Sequence, residues 1–249
     1  MPYIEGVHPS EARPLIQPPF DGVDPSPEEL VILLRSRATT AAIVARIGRN
    51  RSWMRSREVK LAFVANPRAP QVLARQFLPH LGWRDLAELT VNLGVAPVLR
   101  REAEKLLKTR LPELSRGEKV ALARRGSRGI VELLREEPDA LVLRAVAGNP
   151  RATEADFERI LARAETPAEF LSWLAEMSSW GQRRAVRLAL IRHPRTPGPA
   201  ALRLTLGLSQ RDIETLGRDV SAPRLVRVAA ERHIAAMGAS FRGPRSRVG

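Results

Sequence analysis

Between Ala45 and Lys60 the chain reads ARIGRNRSWMRSREVK, which gathers Arg46, Arg49, Arg51, Arg55, Arg57 and Lys60 around Trp53 against a single acid, Glu58. A second stretch, SSWGQRRAVRLALIRHPR, carries Arg183, Arg184, Arg187, Arg192 and Arg195 beside Trp180 with no acid. Cations interleaved with an indole suit phosphate contact combined with base stacking. The competing account is that both tryptophans wedge between helices while the arginines solvate the outside. A third feature is an arginine after each of several turn prolines: Arg68, Arg151 and Arg195, with Arg128 in a weaker copy. Such cations either form a ridge for an acidic partner or cap the carbonyl ends of helices, where each contributes about 0.3–1 kcal/mol.

Other chemistry is sparsely provided for. There is no cysteine, so disulfides, thiolate metal sites and cysteine nucleophiles are excluded. His8, His80, His193 and His233 form no ligand spacing, and no metal or other cofactor is expected. No paired carboxylates, nucleophile elbow or dinucleotide loop stands in a credible context, and Gly126–Gly129 lacks the ending of a phosphate loop. The reading is of a protein that is not an enzyme, with no small-molecule substrate evident. The formal net charge of +14 favours polyanions. However, four of the 41 basic residues are lysines, leaving 37 arginines. A GC-rich base composition would give the same balance without selection for a polyanion.

The elements that position these residues are announced by repetition. LAFVANPRAP at Leu61–Pro70 returns as LALIRHPRTP at Leu188–Pro197. A shift of 127 residues aligns Thr39–Leu107 with Thr166–Ile234 without a gap, at roughly nineteen identities in sixty-nine, which marks an internal duplication. Trp53 then meets Trp180, Arg57 meets Arg184, Pro67-Arg68 meets Pro194-Arg195, and Arg84-Asp85 meets Arg211-Asp212. LRAVAGNPRAT at Leu143–Thr153 is a third copy of the phrase and VALARRGSRG a fourth, and the proline separations suggest a unit of about 40 residues.

Each phrase is a helix–turn–helix hinge. Val59, Ala62 and Phe63 form one apolar stripe, and Pro67 should end that helix near Ala65. Pro70 and Pro197 fit the first turn of a second helix with Thr196 as N-cap, and Leu73, Phe77 and Leu81 make the next stripe. Ser26, Ser115 and Thr166 open capping boxes, and Asp85 and Asp212 sit in first turns where an acid suits the dipole. No segment alternates with period two. The fold class is all-α, with about fourteen short helices. Such pairs bury both faces only against neighbours, at about 25 cal/mol per Å². Replacing Leu61 or Leu188 by Ala should then cost about 2–5 kcal/mol.

VKLAFVANPRAP, VLRAVAGNPRAT and VRLALIRHPRTP resemble the V-R-x-A-x-x-x-N-P-x-T-P signature of leucine-rich-repeat-variant units and, more broadly, HEAT-like armadillo-type α-solenoids. The likeness is sharp over these stretches and architectural over Thr39–Ile234. It implies an α-solenoid that serves as an interaction scaffold, and no reaction. The iron–sulfur domain of the variant-repeat family does not carry over to a chain without cysteine. A further likeness, to HEAT-like DNA glycosylases, would give Trp83, Trp173, Trp180 and Asp85 or Asp212 a place in lining bound DNA.

The expected organisation is a Pro-rich arm over 1–27, a helical array over 28–237 and a basic flexible tail over 238–249. The arm should be extended and lie along the array through Leu15, Ile16 and Phe20. With no apolar run approaching the roughly 20 residues of a membrane span and no secretory leader, the expected location is cytoplasmic. The expected function is a scaffold or adaptor for a macromolecular partner, protein first and nucleic acid second. The candidate binding residues are Arg49, Arg51, Trp53, Arg55, Arg57, Lys60, Arg68, Arg151, Arg183, Arg184, Arg187 and Arg195.

Overall fold

The computed structural model describes residues 24–241, so most of the Pro-rich arm and residues 242–249 of the tail lie outside the described residues. The described chain is all-helical and contains no strand. It divides into two compact units, with the boundary between Thr109 and Arg110.

The first unit contains α1 (Pro27–Arg35), α2 (Ala41–Arg49), α3 (Arg57–Ala65), α4 (Gln71–Phe77), α5 (Trp83–Val91) and α6 (Pro97–Arg110). The second contains α7 (Arg116–Arg125), α8 (Arg128–Leu134), α9 (Ala140–Ala147), α10 (Glu154–Leu161), α11 (Ala168–Glu176), α12 (Ser178–Gly181), α13 (Arg184–Arg192), α14 (Gly198–Thr205), α15 (Gln210–Arg218) and α16 (Arg224–Phe241). Residues 238–241, expected in a flexible tail, continue α16.

The helices are short because capping residues and turns interrupt them. Ser26 and Ser115 each accept from the third backbone N–H beyond while Glu29 and Glu118 return the bond, as the capping boxes require. Thr166 does otherwise: it is buried and its hydroxyl donates to the Ile160 carbonyl at 2.6 Å, the bond Thr39 makes to Leu33 at 2.6 Å. α11 starts from Pro167 and α14 from Pro197, not Thr196, whose buried hydroxyl has no partner. At both sites the Thr faces inward, away from the free N–H groups of the next helix.

Within the second unit α7 packs on α9, α9 on α11, α11 on α14 and α14 on α16, while α10 packs on α13. Ion pairs join α8 to α10 and α13 to α15. Successive long helices of this unit therefore alternate between two rows, which meet most extensively where α15 packs on α16. In the first unit α1 packs on α3 and α2 on α4.

The hinge is one turn built repeatedly. The N–H of residue i+3 donates to the carbonyl of residue i at Ser36, Asn66, Asn92, Asn149, Arg163, His193 and Asp219. The intervals from Ser36 to Asn92 are 30 and 26 residues, and those from Arg163 to Asp219 are the same. The expected 40-residue unit is therefore too long. Pro150 follows α9, whereas Pro194 follows α13 in the other row, so their separation mixes two different turns.

The core departs from expectation at Leu61, whereas Leu188 is buried in the core of the second unit, as expected. Val59, Ala62, Phe63 and Val64 are buried in α3, and Leu61 is only half-buried. Leu188 lies at the edge of two surface cavities. In α4 and the turn after it the buried positions are Ala74, Leu78 and Leu81, displaced from the stripe through Leu73 and Phe77. A 3-10 turn at Leu78–His80 shifts the phase between Phe77 and Leu81.

Candidate functional site

Most of the arginines singled out by sequence are engaged in holding the fold. Arg57 at the start of α3 grips Asp85 in the first turn of α5 with two bonds, Nε to Oδ2 at 2.8 Å and Nη2 to Oδ1 at 2.5 Å. Arg184 of α13 grips Asp212 of α15 the same way, Nε to Oδ2 at 3.1 Å. Arg128 of α8 grips Asp156 of α10, Nη2 to Oδ1 at 2.8 Å, and Arg135 adds a bond at 2.9 Å. The partners are 28 residues apart each time. Each Asp also serves its own helix start: Asp85 accepts from the Gly82 N–H, Asp156 from the N–H and hydroxyl of Thr153, and Asp212 from the Ser209 hydroxyl.

The three staples differ in burial. Asp156 is fully buried with Arg135 nearly so, whereas the Arg57 and Arg184 side chains remain 60% and 71% exposed. Burial alone would raise the Asp156 carboxyl, but bonds from Arg128, the Thr153 backbone and Arg135 hold it well below the usual carboxylate range. Asp212 is lowered by Arg184 and the Ser209 hydroxyl.

Arg68 and Arg195 bond turn carbonyls and not the end of the helix before them, which differs from the expected capping role. Arg68 donates to the Arg37 carbonyl at 2.9 Å and Arg195 to the Glu165 carbonyl at 2.8 Å, each in the preceding turn of its own row. The hinge residue itself bridges two chain segments. Asn66 accepts from the Arg68 N–H and donates to the Leu34 carbonyl at 2.6 Å. His193 reproduces this arrangement, with Nδ1 accepting from the Arg195 N–H and Nε2 set 2.9 Å from the Arg163 carbonyl. That pattern requires the neutral tautomer with the proton on Nε2.

The tryptophans split. Trp180 is buried against Phe157, with ring centroids 4.2 Å apart, and its indole donates to the Ala147 carbonyl at 2.9 Å. Arg183 covers its other side at 4.1 Å. Trp53 is half-buried in the 3-10 turn Trp53–Arg55 and donates to Asp24 at 3.2 Å. Trp173 lies against Phe170 and Arg144, and Trp83 against Arg84. Asp85 and Asp212, placed by the glycosylase likeness in a lining role, are buried and held by arginine.

Two regions remain. In the first unit, a cavity of about 350 Å³ gathers Arg51, Arg55, Lys60 and His80 over Gly48, Met54 and Phe77. In the second, cavities of about 430 and 490 Å³ flank α13 and share Arg184, Leu188 and Arg192, one face of that helix. One opens toward Arg211 and Thr215 of α15, the other toward Glu158, Leu161 and Ala162 of α10. Arg192 is itself tied to Asp219 at 2.8 Å. Of the candidate residues, the structure brings together Arg51, Arg55 and Lys60. Arg49 and Arg151 are exposed elsewhere on their units. His80, Leu188, Arg192 and Arg211 were not singled out as binding residues. The basic and apolar spacing along α13 was a readable signal for the last group; nothing local marked His80. Among the described residues no cluster of His, Asp and Glu could hold a metal ion, and no helix is long and apolar enough to cross a membrane.

No protein-family model matches the chain, and comparisons with curated proteins and with solved structures found no match.

Proposed function

We propose that this chain is an α-solenoid of HEAT-like, variant-repeat units, duplicated internally at an offset of 127 residues, and that it acts as a non-catalytic scaffold for a protein partner. The observation carrying this reading is the groove along α13. Its floor is apolar at Leu161, Leu188 and Ala189, and Glu158 also lines it. Arg211 borders it together with Arg184 and Arg192, whose pairs with Asp212 and Asp219 leave part of their donors for a partner. An extended segment bearing alternating acidic and apolar side chains complements such a surface: its apolar groups cover Leu188 and its carboxylates meet the rim. A nucleic acid would meet the charge but would leave the apolar floor uncovered.

The test is fluorescence anisotropy with labelled 12-residue peptides of alternating Asp/Glu and Leu/Phe, scrambled basic peptides, and generic duplex and single-stranded nucleic acid. The expected result is saturable binding of acidic–apolar peptides, weakened at least tenfold by Ala189→Glu, at a half-buried position of the groove. Nucleic-acid binding that falls linearly in log–log terms with salt, unaffected by Ala189→Glu, would replace this reading with the polyanion one.

A further inference from the structure

The basic cavity of the first unit is unlike the other arginine clusters of the chain. Many guanidiniums elsewhere find a carboxylate, a carbonyl or an aromatic ring, and others, such as Arg49 and Arg151, stand exposed on their own. Here the side chains of Arg51, Arg55, Lys60 and His80 make no hydrogen bond or ion pair among the described residues, and no acid lines the space they surround. They arrive from three elements: Arg51 and Arg55 from the turn after α2, Lys60 from α3 and His80 from the 3-10 turn after α4. Three full cations around one cavity repel each other unless an anion is present.

The equivalent corner of the second unit shows how the chain closes such a space when it is not kept open. A shift of 127 residues takes Arg51, Arg55, Lys60 and His80 to Ser178, Gln182, Arg187 and Gly207. One cation replaces four basic groups, and it is consumed internally. Arg187 donates to the Gly207 carbonyl at 2.5 Å and to the Gln182 side-chain oxygen. A Cβ at Gly207 would lie 2.5 Å from Arg187 Nη1, so a side chain there and the Arg187 conformation are mutually exclusive. The two units therefore hold alternative solutions, one filled by its own guanidinium and one left vacant with a concentrated positive charge.

We propose that the first unit carries a binding site for a diphosphate group. A diphosphate supplies several negative charges and many acceptor oxygens for the guanidiniums, ammonium and imidazole, which donate at the ends of long, adjustable side chains. About 350 Å³ is at the small end of ligand sites. The apolar floor of Met54 and Phe77 leaves a surface on which the remainder of a small phosphorylated molecule rests. The diphosphate is either free or part of a nucleoside diphosphate. The site is separate from the α13 groove and does not depend on what that groove binds.

The experiment is isothermal titration of the full chain with inorganic pyrophosphate and with ADP, at constant ionic strength, backed by thermal melts. Wild type should bind pyrophosphate saturably at one site. Arg55→Gln with Lys60→Gln should weaken it at least tenfold, while the charge-matched Arg124→Gln with Arg125→Gln should leave it unchanged. Arg55→Gln with Lys60→Arg and His80→Gly, which copies Gln182, Arg187 and Gly207 of the second unit, should also abolish binding, and it keeps the test decisive if the first pair of changes disturbs folding. Tighter binding of ADP identifies the nucleotide as the source; equal affinity identifies the free diphosphate. Absence of saturable binding, or equal weakening by the Arg124 and Arg125 changes, would overturn the proposal in favour of diffuse attraction to a chain of net charge +14.

Discussion

Residues 48–85 and their counterparts 175–212 share the Arg–Asp staple and the hinge, yet they diverge where Gly48, Lys60, Phe63 and His80 stand in place of Ala175, Arg187, Leu190 and Gly207. The differences are coupled by volume. Phe63 is fully buried, and a Cβ on Gly48 would come within 2.3 Å of its ring. The second unit has one more carbon at position 175 and a smaller side chain at position 190. Near the surface, Arg187 occupies the space that His80 would need. The backbone bonds that recur are those no side chain can replace cheaply, whereas the filling between them is exchangeable provided total volume is kept.

Substitutions at Phe63, Asp156, Gly48 and His193, the first three each set against a second change, probe that contrast. The largest effect is expected from Phe63→Ala, about 3–5 kcal/mol by urea denaturation, while Leu61→Ala should cost about 1 kcal/mol or less because its side chain is only half-buried. If Leu61→Ala proves the more costly, the burial assigned to α3 is on the wrong face.

Asp156→Ala should follow at about 3 kcal/mol, because it leaves Arg135 partly buried without its partner. Asp85→Ala should cost about 1–2 kcal/mol, chiefly as a lost helix-start acceptor, since Arg57 relaxes into water. Acidification tests the Asp156 staple directly. With its folded pKa depressed, Asp156 contributes its full stabilisation above its unfolded value near 3.9 and loses it as pH falls toward the folded one. The urea midpoint should therefore fall as pH drops below about 5, and Asp156→Asn should flatten that dependence. An unchanged slope would show that the staple does not carry the acid sensitivity.

Gly48→Ala should destabilise by about 1–3 kcal/mol through overpacking. Adding Phe63→Leu, which recreates the second unit's pairing, should recover most of the loss, so the double-mutant cycle should show favourable coupling. Simple additivity would mean that the two positions do not share the same space. The smallest effect is expected for His193→Asn, below about 1 kcal/mol, because Asn66 already makes both bridging bonds from the equivalent position. A large loss in thermal melting would show that the imidazole has a role the amide cannot fill.

Much of this was legible in the amino-acid order. The helix end at Ala65, the caps at Ser26 and Ser115 and the all-α class follow from local rules: proline geometry, capping stereochemistry and apolar spacing. The phrase carrying Pro150 was legible as a turn, but its row was not, because the same turn serves helices of either row. Local reading also marked Asp85 and Asp212 as helix-start acids and missed the guanidiniums 28 residues upstream.

What the sequence determined by itself is the helical class and most helix ends, since those events depend on residues within one or two turns of each other. Only the tertiary structure decided which arginines are consumed and which stay available. Arg57 and Lys60 sit three residues apart in one helix, yet Arg57 reaches Asp85 while Lys60 faces a cavity with no acid. The physical reason is that a charge is neutralised by what lies within a few ångströms in space, and packing brings together residues separated by 20 to 30 positions in the chain.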